Sequence, residues 1–569
     1  MSETSTPVVE NTNPEGGEKL SKKAQNRLLK EQQKAEKKAQ GNKDKPQQQQ
    51  KTEKKEETPV KTDNFGKMAM IVSSSREGKK FTNVVDINPT MKDQIIRVRC
   101  RIQGSRLQGA NLCFLFLRDS SYTIQGVVCK SPENAKEMVQ FAGAISKESV
   151  VEMEAVVSVA PKEITSTTQK DVELQIKSLF IVSEAQPLPM LIEDLSRNQD
   201  KLDEQQSKID AIDEKIKALS LEDHAKKEEL EMEKSKASEF VIVKIDKRLD
   251  NRCLDLRVPA HQAIFRLQSG VTQLFREFLL TLGFIEIHTP KIISSASESG
   301  ASVFKLGYFD THAYLAQSPQ FYKQMAICSD FGKVFEIGPV FRAEKSLTHR
   351  HMTEFVGLDL EMTFREHYHE VLDTLDNLMT SIFEGIETRF AKELESIRAQ
   401  YPFTDFKWKR PSPRLTFDEA AKMLEETGEV IKDNDINTAQ EKKLGIIMKE
   451  KHGVDFYIID KFYMTARPFY TMPDPNQPHL ANAYDLFMRG EEICSGAQRI
   501  HDATLLEESA KKHGINIESI QSYIDSFKFG CQPHGGGGVG LERVVMLYLG
   551  IGNIRKTSMF PRDPYRITP

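Results

Sequence analysis

The hydrophobic and polar positions of the 569-residue chain change period along its length. Residues 94–102 alternate between apolar side chains and arginines, and this two-residue period predicts a half-buried strand whose arginines could contact phosphates. Four more strand-like segments follow between residues 111 and 183, and residues 132–145 have the composition of a helix. Five strands with one helix between the third and the fourth are typical of an OB-fold barrel. We therefore predict such a domain at residues 66–190.

Residues 241–569 have the pattern of a larger mixed domain. Residues 258–284 have apolar positions at helical spacing, whereas residues 333–344, 355–364 and 484–500 resemble strands. The strands outnumber the helices that could cross between them, which favours an antiparallel sheet flanked by helices. The predicted fold class is therefore α+β with several domains.

Two segments have too few apolar positions to form a core of their own. Residues 1–65 are rich in Lys, Glu and Gln and are predicted to be a disordered basic arm. Within this arm, residues 20–39 contain good helix formers and could become a basic helix on RNA. Residues 191–240 are charged, with sparse apolar positions that predict one or two exposed helices in an insertion or hinge.

The net charge of −4 hides an uneven distribution. Between Lys19 and Lys55 there are thirteen Lys or Arg residues against four Asp or Glu. A basic arm on an acidic body suggests a polyanionic partner, either nucleic acid or an anionic membrane. A tail that only improves solubility fits the composition equally well.

Cysteine spacing and terminal composition exclude several classes of protein. The seven cysteines are scattered and form no CxxC pair, so neither a disulfide framework nor a zinc ribbon is expected. No apolar run approaches the ~18 residues of a membrane span, and the polar N-terminus lacks the features of a secretory signal. We expect a soluble protein of a reducing, intracellular compartment that does not bind a membrane.

The most chemically suggestive segment is residues 342–351, which lie between two predicted strands. Arg342 could hold a phosphate or carboxylate with two hydrogen bonds, and Glu344 could accept one from an exocyclic amine. His349 and His351 have the spacing of a metal pair, but no third ligand occurs at a recognisable distance.

Three other groups of residues are suggestive only in combination. Asp485 and Glu492 offer the oxygen ligands that magnesium takes beside nucleotide phosphates. Lys323 would be costly to bury without an anionic partner. The glycine-rich segment 535–550 lacks the Lys of a P-loop and is predicted to be a turn opening a helix, with Arg543 placed for a triphosphate. Each group alone could equally be surface charge.

Together these motifs resemble a known family. FRAE followed by THRHMTEF, with GVGLERV near the C-terminus, resembles motifs two and three of the class II aminoacyl-tRNA synthetases. The helix that ends before Pro290 is similar to motif one, which contributes to the homodimer interface of that family. QSPQFYKQ, EICSGAQR and FPRDP narrow the resemblance to aspartyl-tRNA synthetases of the eukaryotic cytosolic type, over about residues 66–190 and 240–569. The insertion at residues 195–238 is longer than the usual hinge of the family.

The resemblance implies an ATP site on the antiparallel sheet with Mg²⁺ on the phosphates. The implied ATP-binding residues are Arg342, Glu344, Arg350, His351, Met352, Phe355, Glu492, Gly540, Leu541, Glu542 and Arg543. Arg342, Glu344 and Arg543 are the implied catalytic residues, and Asp485 and Glu492 are the implied magnesium ligands.

The resemblance also implies a pocket for L-aspartate. Its implied residues are Ser297, Glu298, Gln320, Lys323, Arg342, Ser495 and Arg499. Lys323 and Arg499 place two cations where the substrate side chain should lie. The amide of asparagine would leave this buried positive charge unpaired, which favours aspartate.

The implied reaction forms aspartyl-adenylate and then transfers the aspartyl group to the 3′ end of tRNA-Asp in the cytoplasm. The barrel would bind the anticodon, with Phe114 stacking on a base and Gln125 and Glu173 contacting base edges. The arm would bind tRNA or dock a multi-synthetase complex. Two alternatives stay open: a catalytically silent RNA-binding paralogue, and an ammonia-dependent asparagine synthetase, which would need neither barrel nor arm.

Overall fold

The computed structural model describes residues 64–219, 223–295 and 303–569. These residues belong to one compact unit, Thr62–Pro569. Residues 1–63 of the predicted arm, including its helix at residues 20–39, lie outside the described part, and the domain boundaries stay predictions. Among the described helices, none is both long and apolar enough to cross a membrane.

The N-terminal sheet is a closed barrel. Its strands are β1 Phe65–Lys67, β2 Ile95–Leu107, β3 Leu112–Asp119, β4 Tyr122–Cys129, β5 Val150–Val159 and β6 Val172–Ser183. They follow the order β1-β6-β4-β3-β2-β5, and β5 also pairs with β6, which closes the sheet. Helix α1, Lys136–Ala144, lies between β4 and β5 in the chain. This arrangement confirms the predicted OB-type fold, because the alternating apolar residues of the strands fill one interior.

The arginines on the outer face of β2 have carboxylate partners on β5. Arg99 Nη2 lies 2.6 Å from Glu152, and Arg97 pairs with Glu154. These two strands are antiparallel neighbours, so the charges meet across the pair. These ion pairs are partly exposed, and contact of the arginines with phosphates stays a prediction.

A helical segment follows the barrel. Its helices are α2 Ile192–Leu195, α3 Gln199–Lys217, α4 His224–Ala237, α5 Ile245–Asp250 and α6 Arg252–Asp255. Helices α3 and α4 form a hairpin in which Lys234 Nζ lies 2.6 Å from Asp213 Oδ1. The hairpin has few buried side chains, as its sparse apolar pattern predicts.

The C-terminal region contains the remaining elements. The helices are α7 Pro259–Thr281, α8 Gln320–Cys328, α9 His369–Arg389, α10 Ala391–Gln400, α11 Phe417–Glu425, α12 Thr438–His452, α13 Ala503–Lys512, α14 Gln521–Lys528 and α15 Leu541–Tyr548. The strands are β7 Ile285–Glu286, β8 Ile292–Ile293, β9 Lys305–Tyr308, β10 Thr311–Leu315, β11 Lys333–Phe341, β12 Glu354–Thr363, β13 Arg414–Thr416, β14 Phe456–Asp460, β15 Ala483–Met488, β16 Glu491–Gln498 and β17 His534–Gly540.

Eight of these strands form the main sheet, in the order β13-β14-β15-β16-β17-β12-β11-β7. The six central strands are antiparallel, and only the two edge pairs are parallel, which confirms the predicted antiparallel sheet. The predicted strand at residues 484–500 is two strands, because Arg489 and Gly490 have φ of 48° and 73° and form a tight turn.

Alternation along the central strands separates two faces of the sheet. Leu358 and Leu360 of β12 and Leu486 of β15 point into a core with helices α7, α9 and α15. Asp359 of β12 and Asp485 of β15 point to the opposite face. The sheet therefore has one apolar face covered by helices and one polar face open to a cleft.

Candidate active site

A cleft of about 440 Å³ lies on the polar face of the main sheet. Most of the residues proposed from the sequence line it together. They are Gln320, Arg342, Glu344, Arg350, His351, Met352, Phe355, Asp485, Glu492, Ser495, Arg499, Gly540, Glu542 and Arg543. Residues that are separate in the sequence thus share one site, because β12, β15, β16 and β17 are neighbours in the sheet.

Four of the proposed residues are placed differently. Leu541 belongs to the apolar core under the sheet, 3% exposed, and its side chain does not line the cleft. Lys323 is fully buried behind the cleft wall. Ser297 and Glu298 lie outside the described residues.

At one end of the cleft, which we call the nucleotide end, an arginine and an aromatic ring face each other. The guanidinium carbon of Arg342 lies 5.5 Å from the centre of the Phe355 ring. Strand β11 ends at Phe341, but the Arg342 amide still donates to Thr353 O at 2.9 Å and so continues the pairing. The arrangement fixes a flat aromatic surface beside a positive charge, which suits the base and phosphate of a nucleotide.

Arg543 is the second cation of the nucleotide end, in the first turn of α15. Its Nη1 donates to Glu492 O at 2.8 Å and its Nη2 to Arg350 O at 3.4 Å, so both hydrogen bonds go to backbone carbonyls. Burial and the nearby positive charges of Arg350 and Arg342 lower the pKa of Arg543. Burial and Arg543 also lower the pKa of His351. The positive charges around Arg543 and His351 thus favour an anion at this point of the cleft.

Three carboxylates, Asp485, Glu492 and Glu441, also line the nucleotide end. Burial and the charge of Asp485 raise the pKa of Glu492, and burial and Glu492 raise that of Glu441 to about 7. Both oxygens of Asp485 accept hydrogen bonds from Arg467, at 2.9 and 2.7 Å. In the described residues no cluster of three or more His, Cys, Asp or Glu side chains could hold a metal.

These contacts bear on the magnesium ligands expected from the sequence. A divalent ion at Glu492 would relieve the repulsion that raises its pKa, so this residue fits the role. Asp485 could bind the ion only if Arg467 moved away, because the guanidinium engages both carboxylate oxygens. His349 and His351 have separate partners, Glu491 and Thr348.

The other end of the cleft, which we call the amino-acid end, contains a buried network of four charged groups. Lys323 Nζ lies 3.0 Å from Asp359 Oδ1 and 3.7 Å from Glu361 Oε2. Arg499 Nε donates to Glu361 Oε1 at 3.0 Å. Burial alone would raise the pKa of Glu361, but the charges of Arg499 and Lys323 lower it. Burial alone would lower the pKa of Arg499, but the charge of Glu361 raises it.

This network corrects the charge argument made from the sequence. Lys323 and Arg499 were expected to present buried positive charge that only a substrate carboxylate could balance. Each cation already has a carboxylate partner, so two positive and two negative charges balance in the described structure. The argument from unpaired positive charge therefore does not hold for these two cations.

Strand β17 explains the glycine run. A Cβ atom at Gly536 would lie 2.4 Å from Glu361 Oε2, and one at Gly538 would lie 2.9 Å from Asp359 Oδ1. The run was expected to be a turn, but residues 534–540 form a strand. Its glycines leave space for the two buried carboxylates.

Asp359, Glu361 and Arg467 are site residues that the sequence argument missed. Asp359 and Glu361 were detectable, because two acids alternate with apolar residues on one strand and therefore share a face. Arg467 lies in an irregular segment after β14, where no repeating pattern in the sequence indicates which way a side chain points.

On the barrel, the three residues expected at the anticodon lie on one outer surface. Gln125 Nε2 donates to Glu173 Oε2 at 2.8 Å, and Phe116 lies opposite Gln125 on β3. Phe114 is two residues from Phe116 on the same face, with the Arg106 guanidinium 5.2 Å from its ring centre. Their contact with RNA stays a prediction.

Comparison with known proteins identifies the family. The family of class II tRNA synthetases (D, K and N) matches residues 244–564. The chain is 63% identical to cytoplasmic aspartate–tRNA ligase 1 of Dictyostelium discoideum, over 90% of each chain. It is 49% identical to the human cytoplasmic aspartate–tRNA ligase, over 89% of this chain and 95% of the relative. A solved aspartyl-tRNA synthetase of Entamoeba histolytica has 47% identity and a TM-score of 0.78, over 89% of this chain and 96% of that one. The chain therefore belongs to the class II tRNA synthetases, within the group of cytoplasmic aspartate–tRNA ligases.

Proposed function

We propose that this protein is a cytoplasmic aspartate–tRNA ligase. It would form aspartyl-adenylate from L-aspartate and ATP, release pyrophosphate and transfer the aspartyl group to the 3′ end of tRNA-Asp. The observation that carries the proposal is one cleft that joins an end suited to a nucleotide with an end suited to a small polar acid. The names of the relatives described above support the same reaction.

At the nucleotide end, Phe355 would stack on the adenine and Glu344 would accept a hydrogen bond from its amine. Arg342 would hold the α-phosphate together with the substrate carboxylate, since it lies directly above Phe355. Arg543 and His351 would contact the γ-phosphate, where the local charges already favour an anion. Arg350, Met352, Gly540 and Glu542 would complete the wall.

At the amino-acid end, Arg499 and Gln320 would recognise the side chain of aspartate, and the buried Lys323 would hold Asp359 and Glu361 in place behind them. Glu361 and the carbonyl of Gly536 fix the Arg499 guanidinium through bonds from Nε and Nη2. A carboxylate can accept hydrogen bonds with both oxygens, whereas the amide of asparagine must turn an NH₂ group toward N–H donors. A site built for hydrogen bonding rejects such a mismatch strongly, which supports aspartate as the substrate.

The chemical step would depend on position and charge. The substrate carboxylate attacks the α-phosphorus in line with the departing pyrophosphate, so no protein nucleophile is needed. Arg342 would stabilise charge at the α-phosphate, and Arg543 would stabilise it on the leaving group. Bound Mg²⁺ would add charge neutralisation on the phosphates, with Glu492 as the residue best placed to hold it and Asp485 available once Arg467 moves.

The remaining partners follow from the surfaces of the described region and from the arm. Phe114, Gln125 and Glu173 would bind the anticodon of tRNA-Asp on the outer surface of the barrel. A homodimer is supported by apolar side chains exposed on the segment around β7, an edge strand of the main sheet: Leu280 of α7, Ile285 of β7 and Ile292 of β8 are 53%, 45% and 51% exposed. The basic arm would add tRNA affinity or dock other synthetases.

The test is charging of tRNA transcripts with labelled amino acids by the full-length protein. We expect aspartate on tRNA-Asp, and little aspartate on tRNA-Asn or asparagine on either. Charging of tRNA-Asn with asparagine would reassign the protein to the sister activity. Binding of tRNA-Asp without charging would favour the silent paralogue, and tRNA-independent release of asparagine from aspartate and ammonia would favour the synthetase alternative.

A further inference from the structure

Two cysteines that the proposed reaction does not use lie side by side below the amino-acid end. Cys328 is the last residue of α8, and Cys531 lies three residues before the start of β17. The two side chains interact with each other, and both pack, half-buried, against one apolar cluster that contains Tyr523 and Phe527. Both are free thiols.

The environment of Cys328 favours its reactive form. Interactions with Cys531 and Ser526 outweigh burial and lower the pKa of the Cys328 thiol to about 7, which favours the thiolate form. Burial instead raises the pKa of Cys100 and of Cys494. The thiolate is the nucleophile in oxidation, so Cys328 combines reactivity, partial exposure and an adjacent thiol that can resolve it.

We propose that Cys328 and Cys531 form a reversible disulfide when the protein meets hydrogen peroxide. The Cys328 thiolate attacks one peroxide oxygen, the O–O bond breaks, and sulfenic acid and hydroxide form. The Cys531 sulfur then attacks the Cys328 sulfur, the S–O bond breaks, and the thiol proton leaves with the hydroxyl group as water. In total two thiols are oxidised to one disulfide, and one peroxide is reduced to two waters. Cellular thiols would reverse the bond.

A chain of buried hydrogen bonds runs from this pair to the amino-acid end. Cys531 Sγ lies 3.5 Å from His534 Nδ1, and His534 Nε2 lies 3.0 Å from Gln324 Nε2. Gln324 Oε1 then accepts from Gln320 Nε2 at 3.0 Å, and Gln320 Oε1 accepts from Arg499 Nη2 at 3.3 Å.

Closing the disulfide would disturb the two segments that carry this chain of hydrogen bonds, which are the end of α8 and the residues just before β17. The two sulfur atoms must come to about 2.05 Å, which requires Cys328, Cys531 or both to move. Cys328 also ends the helix that carries Gln320 and Lys323. We therefore expect oxidation to weaken aspartate binding and to spare ATP. This second part rests on the proposed function, whereas the disulfide itself does not.

The first experiment maps the disulfide in the full-length protein. The protein is treated with hydrogen peroxide, alkylated and digested, and its peptides are analysed by mass spectrometry. We expect a Cys328–Cys531 cross-link that dithiothreitol separates, while the exposed Cys129 and Cys253 are alkylated. In Cys531→Ser, dimedone should label Cys328 as sulfenic acid. Alkylation of both Cys328 and Cys531 after peroxide treatment, or a cross-link of either to another cysteine, would overturn the proposal.

The second experiment tests the consequence with ATP–pyrophosphate exchange. Oxidation should raise the KM for aspartate about fivefold or more and change the KM for ATP by less than about twofold. Cys328→Ser should lose this response, and Cys253→Ser, a matched control, should keep it. An unchanged aspartate KM in protein with the mapped disulfide, or an equal rise for both substrates, would contradict the coupling. If no exchange occurs at all, the proposed function fails, and the peptide map still decides whether the disulfide forms.

Discussion

The nucleotide end and the amino-acid end of the cleft hold their arginines in opposite ways. At the nucleotide end, Arg543 donates to backbone carbonyls, and burial with neighbouring arginines lowers its pKa. At the amino-acid end, Arg499 forms an ion pair with Glu361, and this pairing raises its pKa. Arg543 is therefore held among like charges and backbone carbonyls, whereas Arg499 is already paired with a carboxylate.

The difference indicates two modes of recognition. A group of arginines attracts a polyanion such as ATP and does not require one exact shape of the ligand. A balanced network of buried charges keeps its donors in fixed positions and discriminates by hydrogen-bond geometry. The nucleotide end is thus suited to affinity, and the amino-acid end to selection between aspartate and asparagine.

The largest expected effect is that of Lys323→Met at the amino-acid end. The variant leaves Asp359 without its cation in a buried site, so the free energy of unfolding should fall by about 3–5 kcal/mol. Aspartate-dependent exchange should also be lost. Urea unfolding and exchange measure the two effects.

The double variant Lys323→Met/Asp359→Asn separates stability from function. It should recover most of the lost stability, because neither charge is left unpaired, but none of the exchange activity. Wild-type stability of the single variant would show that the four charges do not balance one another as described.

At the nucleotide end, Arg342→Ala should act on catalysis and not on stability. Loss of the cation above Phe355 should reduce exchange by about 10²–10³-fold, since charge at the α-phosphate is no longer stabilised. The urea midpoint should stay that of the wild type. The exposed Arg365→Ala serves as the matched control, and equal losses in the two variants would remove Arg342 from the site.

Glu542 gives the nucleotide end a pH-dependent contribution to stability. Burial raises its pKa from 4.5 to about 7, and its carboxyl accepts a hydrogen bond from the Val356 amide. The folded state then holds the proton more tightly than the unfolded chain, so this contribution is present below pH 4.5 and is lost as pH rises toward 7. Stability should fall over this window by up to about 3 kcal/mol.

Glu542→Gln should flatten that fall, whereas the exposed Glu508→Gln should not. Urea unfolding at several pH values measures the free energy of unfolding of each variant and so gives its pH slope. The same pH slope in Glu542→Gln and in the wild type would show that another group titrates.

The smallest expected effect concerns Glu441, which lies 3.2 Å from Arg350. Its pKa of about 7 means that it is neutral at pH 6 and charged at pH 8. The nucleotide end is more positive at the lower pH, so the KM for ATP should be a few-fold lower there. Glu441→Gln should remove this dependence, and the KM for aspartate should stay constant. If the KM for aspartate changed with pH in the same way as the KM for ATP, the two ends would not differ in their electrostatics as described.

The sequence predicts the elements of the site better than their contacts. Alternation identifies β12, and the spacing of charged residues after β11 identifies Arg342 as a site residue. Both depend on local periods of two, which a strand imposes directly. The barrel and the antiparallel sheet also follow from the order of such segments.

The contacts that set the charges were not predictable in the same way. Lys323 and Asp359 are 36 positions apart and meet only because α8 packs against β12. The glycines of β17 suggest a turn until their neighbours Asp359 and Glu361 are known. Arg467 approaches Asp485 from an irregular segment, where no period indicates direction. Contacts between residues that are distant in the sequence therefore set the charges of the site, and local sequence patterns do not predict these contacts.

Amino-acid-dependent ATP–pyrophosphate exchange without tRNA would show whether this cleft activates aspartate. We expect rapid exchange with aspartate and almost none with asparagine or lysine, because the fixed donors of the amino-acid end match a short carboxylate. Equal exchange with asparagine, or no exchange with any amino acid from folded protein, would contradict this expectation.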